Sequence, residues 1–573
     1  MSDRNVLQRD RRRYLLPSER KRHAETHAYL PELVDQLERG RVSRREFLRH
    51  ACLLGLGVAT ATVTADALIG HPAGAPVLAQ PPKSGGILRC SMVVQEMNDP
   101  AKFDWTEKSN VARHIVEYLT RTRTDNVTVP YLAERWEASD DLKTWVFHLR
   151  RDVRWSNGDT FSSADVAAAM KRWLDPETGS SNLGLFDALV ETDAEGRKTP
   201  IEGGVEVLDD ATVRFNLRQA VLSMPENFFN YPAAITHRGF GVDYEADLSK
   251  HPIGTGPFEL AEFRIGERAI LKRTRDWWAG PYHLDEIHYF DHGTDTNAWV
   301  AALISNQVDT LFRLPVEAVE TVKRIPSLNL LTATTAQTAV MRFRVTEKPF
   351  DNAKLRQAFA AALDHKELAE KGFSGLGVPA ENDHVSPIHP EYTDIGQPKR
   401  DIELAKKLLA EAGYPNGVTL SIANGDTDGP WMTSTLAVAK AQCAPAGINL
   451  EINKLPAAQY WEIWDKAPFG FTSWTHRPLG TMVLSLAYRS GVPWNECAYA
   501  NPAFDAALDA AEAEVDVEKR KSLLEVCRKI LREDAIIAQP FWRQESVAAH
   551  AKVRGLRVHP TMYHLYENVW LDA

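Results

Sequence analysis

Gly254-Thr255-Gly256 has the residue types and spacing of a phosphate cradle. A nucleotide loop would follow such glycines with Gly-Lys-Ser/Thr, giving an ammonium and a hydroxyl to the phosphates. Here Pro257-Phe258 follows instead. The glycines are read as a tight strand connection where a Cβ has no room. Hydrolase chemistry finds no better footing. The chain has no Gly-x-Ser-x-Gly elbow and no His-Glu-x-x-His pair. Acidic pairs do occur, but among 77 Asp and Glu a chance pair carries no weight. No two of Cys90, Cys443, Cys497 and Cys527 have zinc-ligand spacing. Sequence leaves open whether Cys443 and Cys497 form a disulfide. Cys527 lies in the helical run 519–532 and is read as a small core residue. No cofactor and no metal site is expected.

A second chemistry-bearing pattern lies near the start. Arg44 and Arg45 are followed by Phe47, Leu48 and Arg49, then by a weakly apolar stretch from Ala51 to Gly70. Small residues surround Val77-Leu78-Ala79, where a signal peptidase could cut before Gln80. This order of charged, apolar and small-residue regions is that of a signal peptide. Its Ser-Arg-Arg-x-Phe-Leu-basic pattern resembles the twin-arginine type. A membrane anchor would want roughly 18 or more strongly apolar residues, and Asp66 and several Thr interrupt this stretch. Residues 1–79, with their long basic n-region, are therefore set aside from the fold. Without them 54 Lys and Arg face 68 Asp and Glu. Such an acidic chain is a poor partner for nucleic acid.

Strands and helices alternate through the rest. Residues 86–94 read as a strand, and 144–149 as another with Trp145, Phe147 and Leu149 inward. Asn157-Gly158 is a turn pair after 153–155. Val213, Phe215 and Leu217 alternate again. Ser162 or Ser163 caps a helix over 164–174, with Asp165 in its first turn and Pro176 as its stop. Asp351 or Asn352 caps 353–363. Asp401 opens 402–412, with Leu404, Leu408 and Leu409 on one face and Lys406-Lys407 opposite. Gly413 suits the left-handed position after it. The mixture predicts α/β architecture.

Seven blocks in order resemble the peptide/nickel-binding proteins of ABC importers, the bacterial extracellular solute-binding proteins of family 5. They begin with Tyr131-Leu132-Ala133-Glu134-Arg135-Trp136-Glu137 and continue through 154–166. Pro252-Ile253-Gly254-Thr255-Gly256-Pro257-Phe258 and Trp277-Trp278-Ala279-Gly280-Pro281-Tyr282 follow. Residues 304–309, Pro349-Phe350-Asp351-Asn352 with 355–359, and 405–415 complete the series. The resemblance implies two hinged α/β lobes of the periplasmic-binding-protein fold, with an extra subdomain on the first. It places the first lobe at 83–120, 203–338 and 541–573, the extra subdomain at 121–202, and the second lobe at 339–540. It implies a monomeric periplasmic protein that captures an oligopeptide or a peptide-like, anionic solute between its lobes. The partners would be that solute, an inner-membrane ABC permease and the twin-arginine export machinery. An oligosaccharide or metal chelate as ligand, and an exported hydrolase, are the alternatives.

Peptide-binding members of the family carry a tryptophan followed closely by an aspartate that takes the peptide amine. The matching segment here is Phe471-Thr472-Ser473-Trp474-Thr475-His476-Arg477-Pro478, which keeps the tryptophan and lacks the aspartate. An arginine fork attracts a carboxylate or phosphate, not an ammonium. The resemblance thus makes Trp474 a cleft aromatic and Arg477 an anion contact. His476 beside them is a further ligand contact, though one histidine is no metal site. Trp494, in the loop 491–496, is expected to wall the cleft, and Trp431, after Asp428-Gly429-Pro430, to do the same. Trp542 stands at the return to the first lobe, as a hinge or cleft residue. Trp277-Trp278 is read as a buried wedge between layers.

Overall fold

A computed structural model describes residues 81–572. Arg44, Arg45, Phe47 and Leu48 lie outside the described residues. The fold is organised by one twelve-stranded sheet. One half is made of Phe258–Arg264, Arg268–Arg273, Glu286–Phe290, Ile87–Ser91 and Thr310–Leu311, in that order across the sheet. The other half is made of Phe469–Trp474, Val418–Asn424 and Ile448–Lys454. Between them run two long antiparallel strands, Phe541–His550 and Leu328–Phe343, which belong to both. This is a two-lobed α/β fold whose lobes share crossing strands. A separate antiparallel sheet of Ala133–Ala138, Thr144–Leu149, Thr212–Asn216 and Val205–Asp209 forms an extra subdomain, two of its strands lying past residue 202, where the expected subdomain ends.

Local chemistry explains the elements. Ser162 and Asp165 close a capping box on the helix Ser163–Leu174, satisfying two backbone donors that the helix leaves orphaned. The side chains of Asn352 and Asp401 accept from the first turns of Ala353–Ala361 and Ile402–Glu411. Trp145, Phe147 and Leu149 point into the subdomain core, as the two-residue period requires. Phe147 there meets Phe215 and Phe228 edge-on. Gly254 and Gly256 lie in the connection leading to Phe258–Arg264. A Cβ on Gly254 would stand 1.8 Å from the Ile115 carbonyl oxygen, and one on Gly256 2.5 Å from that of His114.

Some expectations are corrected. The first strand is shorter than 86–94, ending at Ser91 where the chain leaves the ladder. Leu404 does not share the buried face of its helix and is 44% exposed. The helical period brings Ala405, Leu408 and Leu409 inward and leaves the first-turn leucine at the rim. The four described cysteines are free and buried. Cys443 packs in the main core and Cys497 in a separate cluster of the second lobe, so no bridge joins them.

The crossing strands carry one irregularity. Pairing runs from Leu328 opposite His550 to Thr334 opposite Gln544, then resumes at Thr338 opposite Trp542. In the bulge, Thr335 Oγ1 donates to the Arg543 carbonyl at 2.9 Å and accepts from the Gln337 amide at 2.9 Å. The Ala336 amide, freed from the ladder, donates to His476 Nδ1 at 3.1 Å. The bulge thus aims a backbone donor out of the sheet, and a side chain of the second lobe takes it.

Candidate ligand-binding crevice

Val418–Asn424 and Phe469–Trp474 run parallel, so both end on the same edge of the second-lobe sheet. In open α/β sheets ligands bind outside the carboxyl ends of such strands. Two loops emerge there, 425–430 and 475–479. A hydroxyl contact between Thr427 and Ser473, at 3.4 Å, ties the first loop to the end of the strand that leads into the second.

The second loop holds most of the candidate residues. Trp474 ends its strand and is 5% exposed. Its Nε1 donates to Glu496 Oε1 at 2.8 Å. His384 meets the ring edge-on at 5.5 Å, and Trp494 at 6.1 Å. His476 accepts the Ala336 amide on Nδ1, so its proton sits on Nε2, which donates to Asn126 Oδ1 at 3.1 Å. Both ring nitrogens are engaged. Burial holds its pKa well below the usual histidine value, so the ring is neutral. Among the described residues no group of three or more His, Cys, Asp and Glu is arranged to hold a metal ion.

Arg477 is the charge at this loop. Its Nη1 donates to Thr475 Oγ1 at 2.7 Å and to the His476 carbonyl at 3.0 Å. No carboxylate among the described residues pairs with it. Burial draws its pKa below the usual arginine value, and Tyr231 is the group that opposes the shift. Tyr231 is anchored by a bond from Tyr118 to its carbonyl at 3.0 Å. The Arg477 carbonyl accepts from His389 Nε2 at 3.0 Å.

The other tryptophans take different places. Trp494 is 46% exposed, set edge-on between Trp474 and Trp464. Trp542 is 1% exposed, on the crossing strand, with His384 and His389 5.9 and 6.3 Å away. It packs with Ala336 and Ala380 in a small buried cluster. Trp431 opens the helix Trp431–Cys443 behind the first loop, and its Nε1 donates to the Asp428 carbonyl at 2.6 Å. The Arg543 guanidinium lies 5.3 Å over its ring and bonds Asp428 and Gln337. Glu545 carries the charges on to Arg313, at 3.2 Å. Trp277 and Trp278 both donate to Glu117, at 2.8 and 2.7 Å, and are only partly buried, not the fully buried wedge expected.

The model of the bacterial extracellular solute-binding proteins, family 5 Middle, matches residues 127–493. The chain belongs to this family. One relative, the glutathione-binding protein GsiB of Salmonella choleraesuis, is 26% identical over 476 residues, which is 79% of this chain and 88% of GsiB. Another, the dipeptide-binding protein DppE of Bacillus subtilis, is 24% identical over 507 residues, 82% of this chain and 90% of DppE. Among solved structures, the periplasmic murein tripeptide binding protein MppA, in an unliganded open form, shares the fold with a TM-score of 0.77. It is 20% identical and is covered to 97%, by 85% of this chain. As a family 5 protein, the chain is the solute-capturing component of an ABC importer.

In this family 5 protein several crevice residues escape sequence reasoning: Asn126, Tyr231, His384, His389, Arg543 and Asp428. Asp428-Gly429-Pro430 does signal a turn. Asn126 lies in a short hairpin 350 positions before His476, and no local pattern connects them.

Proposed function

We propose that this family 5 protein captures a peptide-like solute bearing a carboxylate or similar anionic group, with Arg477 holding that group, and passes it to its permease. The observation that carries this reading is the guanidinium of Arg477, half-buried and, among the described residues, met by a hydroxyl and a carbonyl of its own loop with no carboxylate paired to it. A desolvated arginine without an acid is short of a charge that a ligand can bring. The names of GsiB and DppE, for glutathione and dipeptides, support the peptide-like class. Trp494 offers the exposed aromatic wall, while Trp474, Trp542, His476 and Trp431 shape the crevice from behind. The protein acts by binding, as a monomer, and without chemistry of its own. It reaches the periplasm through the twin-arginine route, on the strength of Arg44, Arg45, Phe47 and Leu48.

Calorimetry with glutathione and a panel of dipeptides tests the reading, after mass spectrometry of any solute that copurifies. Losing a charge-assisted hydrogen bond costs about 1.5–3 kcal/mol, roughly ten- to a hundredfold in affinity. Arg477→Ala is expected to lose that much with its melting curve unchanged. Equal affinity in parent and variant sinks the assignment.

A further inference from the structure

We propose that Asn126, supplied from the first-lobe side, is the residue that positions the Arg477 loop. This rests on the reading of Arg477 as the anion contact and adds a residue that acts through it. Asn126 sits at the tip of the hairpin formed by Thr120–Thr122 and Thr128–Pro130. A hairpin tip is ordinarily exposed, yet Asn126 is 2% exposed. Its side chain makes three bonds, all to distant segments. Nδ2 donates to the Pro478 carbonyl at 2.8 Å and to the Ile388 carbonyl at 3.3 Å. Oδ1 accepts from His476 Nε2 at 3.1 Å.

The donor pattern fixes how the amide must lie. The Ala336 amide requires an acceptor at His476 Nδ1, which leaves Nε2 as a donor and demands an oxygen opposite it. A flipped amide would put its oxygen against two carbonyls. Each group is satisfied in one arrangement alone.

The backbone narrows the choice of residue. Asn126 has φ 61°, in the left-handed region that favours glycine and admits asparagine. Glycine would make the turn and bring no side chain. Asparagine makes the same turn and delivers a donor and an acceptor.

The bonds fall around the arginine. His476 and Pro478 flank Arg477, and Asn126 holds both. Between them the Arg477 carbonyl is held by His389. Three successive residues are fixed, two of them by Asn126, and His476 carries the fastening on to the bulge of the crossing strand at Ala336. A guanidinium held in place before its ligand arrives loses less freedom on binding.

Asn126→Gly tests this cleanly, because it keeps the turn and deletes only the amide. In the protein without added solute, exchange of the Ala336 amide, which His476 Nδ1 holds, is expected to accelerate about tenfold while the rest of the second lobe and the melting midpoint stay put. The Kd for glutathione is expected to rise roughly tenfold. Asn126→Asp, which keeps the acceptor but turns an oxygen on two carbonyls, is expected not to restore the parent. Unchanged exchange at Ala336 overturns the proposal. So does a general loss of protection with a lower melting midpoint, which would make Asn126 a structural residue only. If Asn126→Gly frees the loop and Arg477→Ala leaves glutathione affinity unchanged, the fastening stands and the proposed ligand chemistry falls.

Discussion

Trp474 donates its indole N–H to Glu496 at 2.8 Å, and the same carboxylate accepts Thr472 Oγ1 at 2.5 Å and Arg342 Nε at 3.2 Å. Both Glu496 and Arg342 are shut away from water. Burial raises the Glu496 pKa, and Arg342 works against that rise. The polar edge of Trp474 is therefore committed to the second-lobe interior, not offered to a solute.

Glu496→Ala should be severely destabilising, because it leaves Arg342 buried without its acid. Breaking such a pair costs about 3–5 kcal/mol. Urea denaturation measures it. A loss under about 1 kcal/mol would mean that the backbone carbonyls around Arg342 suffice without the carboxylate.

Trp474→Ala is expected to act first on stability. Truncating a packed tryptophan costs about 3–5 kcal/mol through lost contact and the cavity left behind. Binding by this variant has meaning only at temperatures where it stays folded. A melting midpoint equal to the parent's would contradict the packing around His384 and Trp494.

Acid should weaken the fold from mild pH. Burial holds the imidazoles of His114, His384, His389 and His559 at about 3. Unfolded, each would protonate near pH 6.5. Their folded pKa values are depressed, so their contribution is complete above about pH 6.5 and is lost as pH falls. Glu226 opposes them: burial raises its carboxyl to about 7, so its folded form takes up a proton early. The imidazoles, with those of His365, His476 and His564 depressed in the same way, drive a fall in urea midpoint between about pH 7 and 5.5, which raised buried carboxyls such as Glu226 and Glu496 blunt. Glu226→Gln should steepen that fall, and a midpoint flat or rising toward acid would contradict the argument.

Gly254→Ala should yield little folded protein, since its Cβ would fall on the Ile115 carbonyl and backbone cannot step aside. Gly158→Ala makes the contrast. That residue has φ 94° and nothing within 4 Å, so strain alone should cost about 1 kcal/mol. Soluble yield and melting midpoint separate the two.

Replacing Arg44 and Arg45 with lysine should leave the precursor in the cytoplasm. Fractionation reads this out directly, and normal periplasmic yield would remove the twin-arginine reading. Sequencing the mature amino terminus checks the cut before Gln80.

What the sequence made legible follows from the range of the interactions. The capping box at Ser162 and Asp165, the caps at Asn352 and Asp401 and the alternation at Trp145, Phe147 and Leu149 are local, and the residues in contact are neighbours in the chain. Leu404 departs from the expected face because the helix period is right while the depth of its first turn depends on what packs there. Trp474, His476 and Arg477 sit together where one strand ends, although nothing in their spacing says which is core and which meets solvent. Asn126 was missed for the plainest reason: its partners lie 262 to 352 positions away.

The shared strands also set a timetable. Thr310–Leu311 pairs on one side with Ile87–Ser91 and on the other with Phe541–His550, close to the end of the chain. A chain emerging from the ribosome can assemble most of the second lobe before that strand exists. The first lobe must wait with an open flank. Synthesis of residues 541–550 is thus the moment at which both halves are sealed together, and a chain cut short before it would carry an unpaired strand edge, ready to associate with others of its kind.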